Sequence, residues 1–217
     1  MFVSPRARPN LAPSFADTLS RAERRARGAF YTPPFLVDQV ADELVARALA
    51  RTTSKAHLPY PEVKILDPAA GDGRFLCACR DLLVAAGVAA GGDPDVVLRH
   101  VVARCLVGLE RDQRAAELAR QQLGAGADVR VGEALLGGLV AERSFDIVLG
   151  NPPYLRSSDL RRADPDLYHR LHQAFVATRE RQWDVYGAFL DQALRWVRGD
   201  GDVGLVVPSR WQTGASA

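Results

Sequence analysis

Residues 145–154 read FDIVLGNPPY, an apolar run that stops abruptly in Asn-Pro-Pro-Tyr. The apolar part, residues 145–149, has the pattern of a buried β-strand. An asparagine followed by two prolines fits neither a helix nor a central strand, because each proline fixes φ and lacks a backbone donor. Residues 151–154 are therefore predicted to form a stiff loop at the end of the strand. Such a loop holds an amide, backbone carbonyls and an aromatic ring together, which suits binding of a planar molecule with an NH2 group.

On either side of this strand, short apolar runs alternate with helical patterns. The predicted strands are 63–67, 101–108, 128–131, 145–149 and 203–207, with a turn at 199–201 before the last strand. The predicted helices cover 33–50 with Thr32 as N-cap, 75–86, 112–123, 186–197 and part of 166–178. Strands that alternate with helices indicate an α/β fold built on a doubly wound, mostly parallel sheet.

The conspicuous loops of the chain all follow predicted strands. Residues 67–73 follow the first strand, Glu110 the second, Glu133 the third and residues 151–154 the fourth. In a parallel sheet, ligands bind outside the carboxyl ends of the strands. The sequence therefore predicts one site that brings these loops together.

Composition favours a globular protein. The chain has 217 residues, 47% of them hydrophobic and 25% charged, with a net charge of +2. This fits one domain over 28–217, preceded by a loose basic arm over 1–27 that is rich in proline and arginine. No apolar run is long enough to cross a bilayer and the N-terminus has no signal-peptide pattern, so we expect a cytoplasmic protein without membrane contact.

Cysteine and histidine do not form metal-binding patterns. The three cysteines, Cys77, Cys79 and Cys105, lack zinc-site spacing and are predicted to be reduced core thiols. The four histidines are scattered along the chain without cysteine or acidic partners. No metal site is predicted.

The loop 67–73 has two features of a ligand-binding loop. Its glycines allow a ligand to approach the backbone closely and leave amides at a helix start for the polar end of the ligand. A glycine-rich turn also serves as a plain connection between strand and helix, and this one lacks both the Gly-Lys-Ser/Thr of triphosphate loops and the three-glycine dinucleotide spacing. Glu110, after the second strand, is placed to accept both hydroxyls of a ribose, the alternative being a solvated or helix-capping acid.

Together these segments resemble the class I S-adenosylmethionine-dependent methyltransferases. They are most similar to the γ-type enzymes of restriction–modification systems, which methylate adenine N6 in DNA. The resemblance runs from about Gly28 to the end of the chain. It rests on segments in a characteristic order, namely FYTPP at 30–34, DPAAGDGRFL at 67–76, NPPY at 151–154, DVYGAFL at 184–190 and GLVVPS at 204–209.

The resemblance implies that S-adenosylmethionine is the cofactor and that a flipped adenine in double-stranded DNA is the substrate. Asn151 and the carbonyl of Pro152 would accept the two hydrogens of the target amine, and Tyr154 would stack on the base. Glu110 would hold the ribose, and Glu133 stands where the family usually has aspartate. The implied catalytic residues are Asn151, Pro152, Pro153 and Tyr154, and the implied cofactor-binding residues are Thr32, Asp67, Pro68, Ala69, Gly71, Gly73, Glu110 and Glu133.

Two alternatives stay open. Glutamine-N5 methyltransferases of the release-factor type share Asn-Pro-Pro-Tyr, although they usually lack the Thr-Pro-Pro segment found here at 32–34. A truncated remnant that binds cofactor without turnover is the other, because γ-type enzymes normally continue with two more strands and a target-recognition domain. We therefore expect a C-terminally incomplete catalytic domain. Its expected partners are DNA and a separate or downstream recognition domain or endonuclease.

Overall fold

A computed structural model describes residues 14–20, 23, 28, 32–52, 60–180 and 182–209 of the chain. Its strands are β1 (Ile65–Asp67), β2 (Leu106–Glu110), β3 (Asp128–Val131), β4 (Phe145–Gly150) and β5 (Val197–Leu205). They form one sheet in the order β3-β2-β1-β4-β5, and every neighbouring pair is parallel. The predicted α/β fold with a parallel, doubly wound sheet is confirmed.

Helices connect the strands and cover both faces of the sheet. In chain order they are α1 (Phe15–Thr18), α2 (Pro34–Thr52), α3 (Arg74–Ala89), α4 (Pro94–His100), α5 (Gln113–Leu123), α6 (Ser157–Ala163), α7 (Pro165–Ala174) and α8 (Val185–Trp196). A π-helical turn (Val101–Cys105) precedes β2, and a 3-10 turn (Val176–Thr178) follows α7. Within the described part of the chain, no helix is both long and apolar enough to cross a membrane.

The two faces of the sheet bury separate hydrophobic clusters, because successive side chains of a strand point to opposite sides. Ile65 and Ile147 pack with residues of α2, α3 and α5 on one face. Leu66 and Val148 pack with residues of α6, α7 and α8 on the other. All four side chains are fully buried. Because helices occupy both faces, the ends of the strands are where the sheet can meet a ligand.

The second strand begins later than predicted. Residues 101–105 form the π-helical turn, and the strand is confined to Leu106–Glu110. Val101 and Cys105 are buried in this turn as they would be in a strand. Hydrophobicity alone therefore did not distinguish the two conformations. Helix α4, which Asp93 caps by accepting from the amides of two following residues, was not predicted.

The last strand is longer than predicted. Residues 199–201 were predicted to form a turn, but they lie within β5. The pairing of β5 with β4 is irregular there, since Phe145 pairs with Val197 whereas Ile147 pairs with Asp202. A bulge of this kind accommodates extra residues without ending the strand, and the glycines occupy this irregular stretch.

The start of α2 also differs from the prediction. The carbonyl of Pro33 accepts from the amides of Leu36 and Val37 at 3.0 and 3.3 Å, so Pro33 rather than Thr32 occupies the cap position. The Thr32 side chain is buried and has a different partner, described below.

Other predictions concern the core and the arm. Cys77, Cys79 and Cys105 are buried thiols outside any disulfide, as predicted. Of the predicted arm 1–27, the structure describes residues 14–20 and 23, where α1 begins with a capping box formed by Ser14 and Asp17. The division into arm and domain stays a prediction. Residues 30, 31 and 211–217 lie outside the described residues.

Candidate active site

A cavity of about 570 Å³ opens where β1, β2, β3 and β4 end. The predicted site residues that line it are Thr32, Asp67, Pro68, Ala69, Gly71, Glu110, Glu133, Asn151 and Pro153. Three predicted residues are absent from its described lining, namely Gly73, Pro152 and Tyr154. The predicted convergence of the four loops at one edge of the sheet is therefore observed, with these three residues placed beside the cavity.

The loop after β1 turns sharply at its two glycines. Gly71 has φ of 55° and Gly73 has φ of 88°, both in the left-handed region that glycine adopts without strain. A Cβ atom on Gly73 would lie 3.1 Å from the Cα of Ala119, so this glycine lets α3 pack against α5. A Cβ on Gly71 would meet nothing within 4 Å, so its backbone faces open space in the cavity.

Asp67, the last residue of β1, is a buried carboxyl at the floor of the cavity. Its Oδ1 accepts from the amide of Ala69 at 3.1 Å. Burial raises the pKa of Asp67 to about 8, and the nearby charges of Glu110 and Asp72 also raise it, whereas the Ala69 amide lowers it. The apo site therefore favours the neutral acid at neutral pH, and a cationic ligand would favour the carboxylate.

Glu110, the last residue of β2, is tied to the loop after β1. Its Oε2 accepts from the amide of Gly71 and its Oε1 from the amide of Asp112, both at 2.8 Å. Burial raises the pKa of Glu110, and these amide hydrogen bonds oppose the rise. A single carboxylate thus connects two of the predicted loops.

Glu133 follows β3 at the far side of the cavity. Its Oε1 accepts from the amide of Leu135 at 3.2 Å, and its Oε2 lies 4.0 Å from Nη1 of Arg111. Arg111 also pairs with Asp164 of the α6–α7 connection at 3.2 Å. This exposed arginine therefore spans the rim of the cavity between the sheet and the helices that follow β4.

Asn151 is oriented by a residue from the start of the chain. Its Nδ2 donates to Oγ1 of Thr32 at 2.8 Å, across 119 positions of sequence. Both residues line the cavity, and the Thr32 side chain is buried. The Thr32 hydroxyl therefore binds Asn151 and does not cap helix α2.

Tyr154 is held on several sides. Its hydroxyl donates to the carbonyl of Val206 at 3.0 Å, and its ring meets the ring of Tyr186 edge to face, with centroids 6.3 Å apart. Its amide donates to the carbonyl of Gly28 at 3.0 Å. Burial raises the pKa of the Tyr154 phenol to about 12, so the hydroxyl stays protonated and remains a donor. The ring is fixed in orientation beside the cavity.

One family model matches the C-terminal part of the sequence. Residues 127–217 match the family model described as Eco57I restriction-modification methylase. The chain is 26% identical over 205 residues to the Type II methyltransferase M.BstVI of Geobacillus stearothermophilus, covering 86% of this chain and 34% of that protein. It is 29% identical over 204 residues to M.PaeR7I of Pseudomonas aeruginosa, covering 86% and 32%. The chain fits a DNA methyltransferase catalytic domain.

The chain spans about a third of the length of these curated relatives. Solved structures share its fold. A class I S-adenosylmethionine-dependent methyltransferase from Listeria monocytogenes superposes with a TM-score of 0.53 at 19% identity, over 82% of this chain and 47% of that one. The DrdV protein, solved in complex with DNA, superposes with a TM-score of 0.61 at 22% identity, over 88% and 21%. The fold is that of the class I S-adenosylmethionine-dependent methyltransferases.

S-adenosylmethionine is the cofactor that this fold and these relatives imply, and the residues of the cavity fit it. The cofactor has two positively charged groups, a sulfonium and an ammonium, and one negatively charged carboxylate, so its net charge is positive. The acids Asp67 and Glu110 line the cavity and suit a cationic ligand. The volume of about 570 Å³ lies within the usual range for ligand sites. The open space above Gly71 is where a ligand can approach the backbone.

Several residues that line the cavity were not predicted from the sequence. They are Ser14, Phe15 and Ala16 of the arm, Arg111, and residues of α6, the α6–α7 connection, α7 and α8, among them Leu160, Asp164, Leu167 and Phe189. Local signals for the elements exist, such as the capping box at Ser14 and the Asp164-Pro165 helix start. Their position at the cavity depends on tertiary packing, which no local signal reports.

Proposed function

We propose that this domain transfers the methyl group of S-adenosylmethionine to the N6 amine of an adenine flipped out of double-stranded DNA. The observation that carries the proposal is the orientation of Asn151, whose Nδ2 is engaged by Thr32 at the wall of the cavity that contains the glycine loop. With Nδ2 engaged there, Oδ1 is the atom that this side chain offers to a substrate amine. An amine bound at Oδ1 would stand at the edge of the cofactor site.

In this proposal the catalytic residues are Asn151, Pro152, Pro153 and Tyr154. Asn151 Oδ1 and the carbonyl of Pro152 accept the two amine hydrogens, which draws the nitrogen lone pair out of conjugation with the ring. Pro153 keeps the loop stiff, and Tyr154 stacks on the base. The bound cofactor supplies an electrophilic methyl group. As the amine nitrogen bonds to the methyl carbon, the carbon–sulfur bond of the cofactor would break and leave a neutral thioether, S-adenosylhomocysteine. The methylated amine would then release one proton to water, so no strong base is required beside it.

The acids and the glycine loop hold the cofactor in the same proposal. Asp67 and the loop after it take the methionine part, Glu110 takes the ribose hydroxyls, and Glu133 takes the adenine of the cofactor. The proposed cofactor-binding residues are Thr32, Asp67, Pro68, Ala69, Gly71, Gly73, Glu110 and Glu133. A separate or downstream recognition domain or endonuclease is part of this proposal. In support, the match covers only 34% of a relative named as a Type II methyltransferase and 7% of one named as a Type II restriction enzyme and methyltransferase. A cytoplasmic location is also part of the proposal.

The test measures which nucleoside receives the methyl group. The purified chain is incubated with isotope-labelled S-adenosylmethionine and short duplexes that carry an unpaired adenine or an unpaired cytosine, since a mismatched base costs less to flip. Digestion and mass spectrometry should find N6-methyldeoxyadenosine. Asn151→Ala should reduce its amount at least about a hundredfold, because the substitution removes a hydrogen-bond acceptor that acts on the amine in the transition state.

Three results would contradict the proposal. Methylated cytosine in place of adenine would overturn the base assignment. Transfer to the glutamine of a release factor but not to DNA would favour the glutamine-N5 alternative. Cofactor binding without transfer to any of these substrates would favour a non-catalytic remnant.

A further inference from the structure

Helix α1 is attached to the glycine loop of the cavity. The amide of Phe15 donates to Oδ2 of Asp72 at 3.0 Å, across 57 positions of sequence. The same oxygen accepts from Nε of Arg74 at 3.2 Å, and the side chains of Asp72 and Arg74 are only 9% and 10% exposed. The contact is therefore a largely buried one between the arm and the loop, rather than a chance meeting of surface groups.

The attached segment is locally rigid. Oγ of Ser14 accepts from the amide of Ala16 at 3.1 Å, and Oδ2 of Asp17 accepts from the amide of Ser14 at 3.0 Å. This reciprocal capping box stabilises the start of a helix. Ser14 and Ala16 are both buried, so the segment packs into the protein instead of lying on it.

Ser14, Phe15 and Ala16 line the same cavity as Asp67 and Gly71. Their described attachment is to the loop after β1, whereas Glu110 and Glu133 follow β2 and β3, which lie successively farther along the sheet. If the loop after β1 takes the methionine part of the cofactor, the segment therefore stands at the methionine end. This step rests on the proposed function.

We infer that residues Ser14, Phe15 and Ala16 are a further part of the cofactor site and cover the methionine end of S-adenosylmethionine, with the Phe15–Asp72 hydrogen bond holding them in place. A wall at this end excludes water from the ammonium and carboxylate groups, which strengthens their interactions with the loop. The segment thus increases affinity for ligands that carry the methionine part.

The test uses two substitutions at one position. Phe15→Pro removes the amide hydrogen that Asp72 accepts, and Phe15→Ala removes the ring but keeps that hydrogen. Proline is tolerated at the first position of a helix, and Ser14 already has the extended φ and ψ of −61° and 149° that a residue before proline requires. Thermal denaturation of both variants checks that they fold alike.

Dissociation constants are measured by calorimetry for S-adenosylmethionine and for methylthioadenosine, which lacks the amino-acid part. We expect Phe15→Pro to weaken S-adenosylmethionine binding about tenfold relative to Phe15→Ala, as for loss of one hydrogen bond to a charged group. Methylthioadenosine should bind both variants equally.

Equal affinity of the two variants for S-adenosylmethionine would overturn the inference, and so would an equal loss for both ligands. Neither measurement uses DNA. A wild-type chain that binds cofactor as expected but methylates no DNA would therefore refute the proposed function without refuting this inference, and the reverse result would refute the inference alone.

Discussion

The carbonyl of Gly28 accepts a hydrogen bond from the amide of Tyr154 at 3.0 Å, so a residue that precedes α2 is joined directly to the Asn-Pro-Pro-Tyr loop. Gly28 has φ of 63°, and a Cβ atom at this position would lie 2.9 Å from the backbone N and C of Tyr154. The two backbones are therefore too close for any residue but glycine. The 151–154 loop is therefore held by Gly28 as well as by the strand β4 that precedes it.

Gly28→Ala should displace the 151–154 loop. We expect the free energy of unfolding to fall by about 2 kcal/mol more than in Gly91→Ala, because the alanine meets backbone as well as strain. Gly91 is a matched control, since it also has positive φ, 93°, but open space around its Cβ position. Urea denaturation measures both variants, and equal losses would show that the close approach to Tyr154 has no energetic importance.

Thr32 should act by orienting Asn151. Thr32→Val keeps the shape but removes the oxygen that accepts from Nδ2 at 2.8 Å. We expect kcat for methyl transfer to fall about tenfold, because the half-buried Asn151 amide loses one hydrogen bond and its fixed orientation. Thr32→Ser retains the acceptor and should stay within about twofold of wild type. Steady-state kinetics would contradict this if both variants lost activity equally or if only the KM for the cofactor changed.

The buried Asp67 should make the apo protein less stable as pH rises. Burial raises its pKa to about 8 in the fold, above the value of roughly 3.9 expected in the unfolded chain. A raised folded pKa contributes stability that is complete below about pH 4 and is lost as pH rises through 8. Asp67→Asn cannot ionise, so its stability relative to wild type should increase between about pH 5 and 8 and level off above that. Denaturation at several pH values measures this, and a constant difference would contradict it.

Cofactor binding should release protons at neutral pH. With its pKa near 8, Asp67 is mostly neutral in the apo site, and the cationic groups of S-adenosylmethionine favour the carboxylate. The calorimetric enthalpy at pH 7 should then depend on the ionisation enthalpy of the buffer, with a sign that corresponds to proton release. Asp67→Asn should reduce that dependence. An enthalpy that is independent of the buffer in wild type would rule out coupling between binding and Asp67.

Substitutions of Asp164 should distinguish the stability that comes from capping α7 from the stability that comes from the ion pair with Arg111. Its Oδ1 accepts from the amide of Leu167 at 3.0 Å and caps α7, and its Oδ2 pairs with the exposed Arg111 at 3.2 Å. Asp164→Ala loses both and should cost about 1 kcal/mol of unfolding free energy. Asp164→Asn keeps the cap and should be nearly neutral, because exposed ion pairs contribute little. Equal losses in urea denaturation would assign the stability to the ion pair instead.

The sequence predicted those parts of the site that follow directly from strand ends. Asp67, Glu110 and Asn151 each come immediately after an apolar run, and parallel strands bring such positions to one edge. The sequence did not predict which residues near the strands adopt a different secondary structure from the one that their pattern indicates. Residues 101–105 are as apolar as a strand yet form a π-helical turn, and residues 199–201 have turn composition yet lie within β5. Hydrophobicity and glycine content report burial and backbone freedom, and neither specifies the partner that a segment pairs with.

The sequence by itself determined the class of fold and the set of loops at the carboxyl edge, since alternation and proline chemistry act over a few neighbouring residues. Tertiary structure alone decided the long-range contacts of those loops. Thr32 is a residue type that often caps a helix, but its hydroxyl accepts from Nδ2 of Asn151. The amide of Phe15 donates to Oδ2 of Asp72. These bonds connect residues 119 and 57 positions apart, so they form only because the packed sheet and helices bring the segments together.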